Sequence, residues 1–426
     1  MLKSQYQRPQ IKTLVDRLSE PPEAIIAVAG PRQVGKTTLV QQAMHLPAPR
    51  AHLWLAADPS GQQPALAATS STELTSTAIA SPGAKRDAAW LSEQWSRARV
   101  LAKSHRGDAP FVLVIDEAQK ISRWSDVIKG LWDADRASGL RMHVVVLGSS
   151  PWLIQQGLNE SLAGRYEYLR LGHWSFSEMQ EAFDLSLDEY LYFGGYPSSL
   201  RLMRDEVRWG AFVRGSLIQP NIEKDIFEER RVDKKALLKA LFEVGCAHSG
   251  QIISLNKLLG QLQDAGNTVT LAHHLELLSA AGLLCGLQKY SDQPIRRRNT
   301  VPKFNALNPA LISAMGDHSF AEARADRSYW GRLTESAVGA HLQNHVHTGY
   351  KLFYWRDSPH EVDFVAAKGQ QLLAIEVKSG KSRGAQQGLD AFMERFPRAR
   401  PLIVGTGGTP IADFLIRPPL SWFDAP

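Results

Sequence analysis

Between residues 23 and 173, short apolar runs bounded by turn residues alternate with helix-period stretches: "AIIAVAG", "AHLWLAAD", "FVLVID", "MHVVVLGSS" and "YEYLRLG". Strands apolar on both faces and separated by helices predict a parallel sheet covered on each side. Residues 59–86, rich in Ser, Thr, Ala, Gly and Pro, interrupt that rhythm after the second strand and read as a long surface insertion. After Ser175 the pattern turns helical to about Arg231, as expected of a lid or connector. Three further helical stretches follow, "KKALLKALFEVG", "SLNKLLGQL" and "TVTLAHHLELLSAAGLL", then a strand, a charged turn and another strand. That order predicts a winged helix-turn-helix. From Asp317 onward a helix, the strands "KLFYWRD", "EVDFVAA" and "LLAIEVKSG", a helix and "PLIVGT" make a second small α/β unit. The expected partition is residues 1–175, 176–232, 233–316 and 317–426.

A chain of 426 residues has room for these units, and 44% hydrophobic with 22% charged residues suits globular folding. The cysteines, Cys246 and Cys285, lack ligand-like spacing, which argues against a disulfide framework or a zinc site. The opening "MLKSQYQRPQ" has no apolar h-region, and no run approaches the roughly 18 to 20 apolar residues of a spanning helix. A cytoplasmic protein without membrane insertion is expected. A net charge of +6 favours anionic partners, nucleic acid ahead of lipid.

The segment "GPRQVGKTT" follows an apolar strand and precedes a helical stretch, the context that the pattern G-x-x-x-x-G-K-[ST] requires. Gly30, Pro31, Arg32, Gln33, Val34, Gly35, Lys36, Thr37 and Thr38 would form a loop whose backbone N–H groups cradle the phosphates of ATP. Gly30 and Gly35 let that backbone approach closely. Lys36 would neutralise the β and γ phosphates, and the Thr37 hydroxyl would hold Mg²⁺. In "FVLVIDEAQ", Asp116 would bind Mg²⁺ through water, and Glu117 would act as general base toward the attacking water. Ser149 and Ser150 end the next strand, where a polar side chain could sense the γ-phosphate or simply cap a helix. In "SLAGRYEYL", Arg165 is a candidate trans-acting arginine finger, with a surface salt bridge as the alternative.

These motifs resemble the AAA+ branch of P-loop ATPases. With "GGYP" and "EVDFV…IEVKSG", the chain is similar to the prokaryotic AAA+ family that follows its ATPase core with a winged helix and a restriction-endonuclease-like C-terminal domain of unknown function. The resemblance implies an α/β AAA+ P-loop NTPase core with a helical lid, a winged helix-turn-helix and the nuclease-like α/β domain. It also implies assembly into a homo-oligomer, with a hexameric ring as the candidate form. The long insertion at 59–86 and the basic wing depart from the pattern.

Between the expected wing strands, Lys289, Arg296, Arg297, Arg298 and Lys303 are opposed only by Asp292. Such a turn suits contact with a DNA backbone, or is a solvated charge cluster on a packing module. The candidate recognition helix carries His273 and His274 but no arginine, so shape or backbone recognition is expected over base reading.

In "EVDFVAAKGQQLLAIEVKSG", a turn at residues 368–370 pairs two strands, with Glu361 and Asp363 on one face of the first and Glu376 and Lys378 together on the second. This resembles the PD-(D/E)XK nuclease signature. The resemblance implies Asp363 and Glu376 as metal ligands, Glu335 as a further ligand, and Lys378 orienting the hydrolytic water. Val362 stands where the motif's name has proline, and alternating surface charge produces the same pattern. The expectation is an ATPase that engages DNA and couples turnover to its remodelling, with metal-dependent DNA cleavage as an option. The alternative is a nucleotide-switched protein-interaction module with a catalytically silent C-terminal domain.

Overall fold

The computed structural model describes residues 6–58, 86–149, 151–228, 234–260, 262, 267–293, 300–380 and 385–424. Two units result, divided between Leu171 and Gly172. In the first, β1 (Ile25–Ala29), β2 (His52–Ala56), β3 (Phe111–Asp116), β4 (Met142–Gly148) and β5 (Tyr166–Arg170) form a parallel sheet in the order β2-β3-β4-β1-β5. Alternate residues of the strands enter separate cores on the two faces. Ile25, Ala27, Leu113, Ile115, Val144 and Val146 pack on one side with Trp95 and Ile128. Ile26, Val28, Val112, Val114, Val145 and Leu147 pack on the other with Leu14, Leu39 and Val40. This double covering explains the unbroken apolar runs. Helices α1 (Gln10–Arg17), α2 (Lys36–Ala43), α3 (Ala88–Ser104), α4 (Trp124–Ala137) and α5 (Pro151–Ser161) alternate with the strands. The expected insertion at 59–86 lies almost wholly outside the described residues, Arg86 excepted.

The second unit opens with helices Phe176–Phe183 and Leu187–Phe193, each begun by a serine–glutamate capping box, Ser175 with Glu178 and Ser186 with Glu189. Helices Lys235–Ala247, Leu255–Leu259 and Thr268–Ala280 precede an antiparallel hairpin of β6 (Leu284–Leu287) and β7 (Lys303–Ala306). Phe242, Leu271, Leu284 and Phe304 share their core. Helix Arg327–Asn344 then leads into β8 (Lys351–Asp357), β9 (His360–Lys368), β10 (Gln371–Lys378) and β11 (Ala399–Gly405), a mixed sheet ordered β11-β10-β9-β8 with only β10 and β11 parallel. Gln371 pairs with Lys368, so the β9–β10 turn closes where the sequence places it.

The hairpin is anchored on this sheet. Past β6, the Tyr354 N–H donates to Gln288 O at 3.1 Å and the Tyr290 N–H to Tyr354 O at 2.6 Å, and the Tyr290 ring enters the core with Phe353, Trp355 and Phe392. Before β7, the Tyr354 hydroxyl donates to Val301 O.

No described helix is long and apolar enough to cross a membrane. On β4, His143 is buried with its Nε2 3.1 Å from Glu20 O, and burial pushes its pKa down to about 4. An unfolded chain therefore takes up a proton here first. Stability from this group is complete above the unfolded value near 6.5 and is lost as pH falls through 4. His143→Gln should flatten the decline in melting temperature over that window, measured by thermal unfolding at stepped pH.

Candidate functional site

The order β3-β4-β1 brings the carboxyl ends of three neighbouring strands together, the place where open α/β sheets bind ligands. From β1 the chain enters the loop from Gly30 to Gly35. A Cβ on Gly30 would stand 2.1 Å from Leu171 O, so only glycine fits there. Gly35 has φ 90°, a left-handed conformation that glycine adopts freely, and it delivers the chain into α2 with no side chain capping the helix start. The N–H groups at that terminus suit a phosphate. The buried Lys36 ammonium donates to Gly30 O and Pro31 O, each at 2.8 Å. Beneath the loop, buried Arg8 donates from Nη1 to Val34 O at 2.9 Å.

At the end of β3 the Thr37 hydroxyl donates to Asp116 Oδ2 at 3.3 Å. Burial, with the charge of Glu117 beside it, raises the Asp116 pKa to about 6, against the opposing pull of Lys36. Glu117 turns at φ 56°, and its Oε2 accepts from Ser149 Oγ at 2.9 Å, from the Ser149 N–H at 3.4 Å and from Gln119 Nε2. Lys36, Thr37, Asp116, Glu117 and Ser149 thus converge as the sequence predicts. Arg32, Gln33 and Thr38 lie in the same loop and first turn, while Ser150 is outside the described residues. An ammonium, a helix terminus and a hydroxyl beside a half-buried carboxylate fit ATP with Mg²⁺. Lys36 and the loop N–H groups would hold the phosphates, and Thr37 and Asp116 the cation, which supplies charge neutralisation when bound.

Arg165 opens the β5 segment and holds Asp133 of α4 with two bonds, Nε to Oδ1 at 2.8 Å and Nη2 to Oδ2 at 3.1 Å. A trans-acting role would require that pair to open.

The C-terminal carboxylates are arranged differently from expectation. Ile375 pairs with Phe364 across β9 and β10, and just beyond this last pair Glu376 lies close enough to Asp363 for the two charges to interact. Asp363 Oδ2 accepts the Val377 N–H at 2.9 Å. The cation among these acids is Lys303 of β7. Its Nζ lies 2.6 Å from Glu335 Oε1, 3.3 Å from Asp363 Oδ1 and 3.7 Å from Glu361 Oε1, with the side chain 1% exposed. It also donates to Asp363 O at 3.2 Å. Burial opposes its charge, yet the three carboxylates outweigh burial and hold its pKa above the ordinary lysine value. Burial and the neighbouring Asp363 push Glu376 up to about 9 and Glu335 to about 7.

Two expectations are corrected here. Lys303 cannot belong to a nucleic-acid surface, because it is enclosed by acids. Nor do Asp363, Glu376 and Glu335 form an open divalent-cation site, since an ammonium stands among them and no group of at least three such ligands able to hold a metal occurs among the described residues. Lys378 ends β10 two residues after Glu376. Lys289 is half-buried, its N–H donating to Thr300 Oγ1 at 3.0 Å. Arg296, Arg297 and Arg298 lie outside the described residues.

The sheet order and the loop define a P-loop nucleotide-binding core. Residues 22–180 match the AAA domain, residues 184–322 a domain of unknown function (DUF8612) and residues 330–414 a second one (DUF4143). Among solved structures it is similar to the Walker-type ATPase paby2304 of Pyrococcus abyssi, at 15% identity over 72% of this chain and 94% of that one, with a TM-score of 0.47. It is also similar to a RuvB variant of Thermotoga maritima, at 17% identity over 66% and 89% of the two chains, with a TM-score of 0.32. No curated protein matches the chain.

Sequence reasoning missed Arg8, Gln119 and the role of Lys303. Gln119 sits inside the "DEAQ" stretch and was within reach, whereas Arg8 precedes the loop by more than twenty residues with no motif of its own. Gly30→Ala should weaken ATP binding by forcing the loop off Leu171 O, while leaving a folded protein. Nucleotide titration beside a thermal melt checks this, and unchanged affinity would place the phosphates elsewhere.

Proposed function

We propose that the protein hydrolyses ATP at the Gly30–Thr38 loop and couples turnover to remodelling of DNA. The convergence of Lys36, Thr37, Asp116, Glu117 and Ser149 at three adjacent strand ends carries the hydrolytic part of this reading. Lys36 binds and neutralises phosphate oxygens. Glu117 draws a proton from the attacking water, and Ser149 and Gln119 position its carboxylate. Both hold the same oxygen, Oε2, and so restrain the Glu117 side chain. DNA as partner rests on the basic residues between β6 and β7 and on the net charge of +6.

A nucleotide-switched protein-interaction module is the second reading. The burial of Lys303 favours it, because one of the five basic residues assigned to the DNA surface is withdrawn into the protein. Cleavage by the C-terminal domain is not part of the proposal, since that same lysine stands among its carboxylates.

Steady-state ATP hydrolysis separates the two readings when measured alone and with single-stranded, duplex, nicked and four-way-junction DNA. Lys36→Ala should abolish turnover, and Glu117→Gln should reduce it about 100-fold or more while ATP still binds. Stimulation by one DNA form supports DNA coupling; equal rates with every form move the partner to protein.

Self-assembly, with Arg165 reaching a neighbouring copy's nucleotide, belongs to the same proposal. Arg165→Ala should then reduce kcat by about 1000-fold. Asp133→Ala, which only frees the guanidinium, should not. Equal, small effects of both substitutions on activity and stability would leave the pair a structural bridge.

A further inference from the structure

The hairpin strand β7 delivers one charged side chain into the space between the Arg327–Asn344 helix and the β9–β10 pair. Lys303 is among the largest fully buried side chains of the described residues, and its ammonium is within 3.7 Å of Glu335, Asp363 and Glu361. These are two of the three acids that the nuclease signature assigns to a metal, Glu335 and Asp363, together with Glu361, two residues before Asp363 on β9. The Phe364 ring, its centroid 5.0 Å from Nζ, helps close the pocket around the cation. The third assigned acid, Glu376, keeps Oε2 buried with no hydrogen-bond partner.

We propose that Lys303 is the resident cation of this carboxylate cluster, holding by ion pairing the place that a divalent metal would take and fastening β7 to the C-terminal sheet. Three observations carry this. The ammonium stands 2.6 Å from Glu335 Oε1 as an ion pair, leaving no room for an ion between them. Asp363 is engaged on both oxygens, Oδ1 by Lys303 and Oδ2 by the Val377 N–H. The strand supplying the lysine is fixed by β6, by the hydrogen bond from the Gly250 N–H to Phe304 O at 2.8 Å, and by the Ala306 N–H donating to Ser249 Oγ at 2.9 Å. The lysine therefore does not swing away without moving the hairpin. With it in place, Asp363 and Glu376 have no metal through which to activate water, and the cluster acts as an electrostatic clasp.

The clasp makes a prediction about the cluster's chemistry once the ammonium is gone. Lys303→Met keeps an unbranched apolar stem but leaves the carboxylates without a counter-charge, so a divalent cation should enter. Mn²⁺ binding to the full chain without nucleotide, followed by electron paramagnetic resonance, tests this with four proteins. Wild type and Asp363→Asn should bind the same number of Mn²⁺ ions. Lys303→Met should bind one more, and Lys303→Met with Asp363→Asn should lose that extra ion. A wild-type Mn²⁺ ion that disappears in Asp363→Asn overturns the proposal, as does a folded Lys303→Met protein with no added ion. Should Lys303→Met fold poorly, its melting temperature in Mn²⁺ provides the second readout. Recovery by several degrees in the single but not the double variant supports the proposal, and no recovery counts against it. Lys303→Arg, which retains a cation, should gain no Mn²⁺.

Discussion

Everything in the nucleotide site depends on the parallel pairing of β1 with β4 and of β4 with β3. Neighbouring strands lie roughly 4.8 Å apart. Three loops leaving three consecutive carboxyl ends therefore meet within reach of one triphosphate, although they are separated by more than 100 residues of chain. The apolar alternation that buries Ile26 and Val145 on one face and Ile25 and Val144 on the other sets this register, because a shift of one residue would exchange the two faces. The polar residues at the ends are then positioned by packing that they do not themselves contribute. Their own contacts are mutual. Lys36 rests on loop carbonyls, Thr37 on Asp116, and Glu117 on Ser149 and Gln119. Nucleotide binding at such a site exchanges hydrogen bonds, so its net free energy is set by charge and by the prearranged loop.

The C-terminal sheet meets the opposite problem. Asp363 and Glu376 lie close together where the β9–β10 pairing ends, and neighbouring like charges on adjacent strands are unfavourable. Helix Arg327–Asn344 adds Glu335 to the same space, and β9 adds Glu361. Two effects offset this. Protons are retained more strongly on Glu376 and Glu335, and an ammonium enters from β7. A buried charge cluster is tolerated only when it is paired and hydrogen-bonded, and Lys303 meets both conditions.

The nucleotide site was legible in the sequence because its chemistry is contiguous: a loop, an acidic strand end and a serine strand end, each flanked by its apolar strand. The β9–β10 hairpin was legible for the same reason, and its turn falls where the glycine places it. Lys303 was not. Read along the chain, it follows three arginines and a proline and looks like the last charge of an exposed turn. Only the strand that begins at this residue, covered on all sides, makes it interior, and that covering comes from a helix and a sheet that follow it in the chain. Gln119 shows a smaller form of the same limit. Its place in "DEAQ" was plain, but its bond to Glu117 depends on the left-handed turn at Glu117, which no residue type there announces. Arg165 has a legible position and an ambiguous partner, since a guanidinium at a strand start pairs equally well within its own chain.

The clasp also bears on how the two segments of unknown function are related. Lys303 lies in the segment matched over residues 184–322, whereas Glu335, Glu361 and Asp363 lie in the one matched over residues 330–414. Tyr290, from the first, packs in the core of the second. The later segment is therefore electrostatically incomplete by itself, with acids crowded into a buried space and their cation supplied from outside its limits. Removing one partner of a buried ion cluster is far more damaging than replacing the whole cluster with apolar groups. The hairpin and the mixed sheet are on this account one folding unit, and the seam that sequence families draw between them runs through an ion pair.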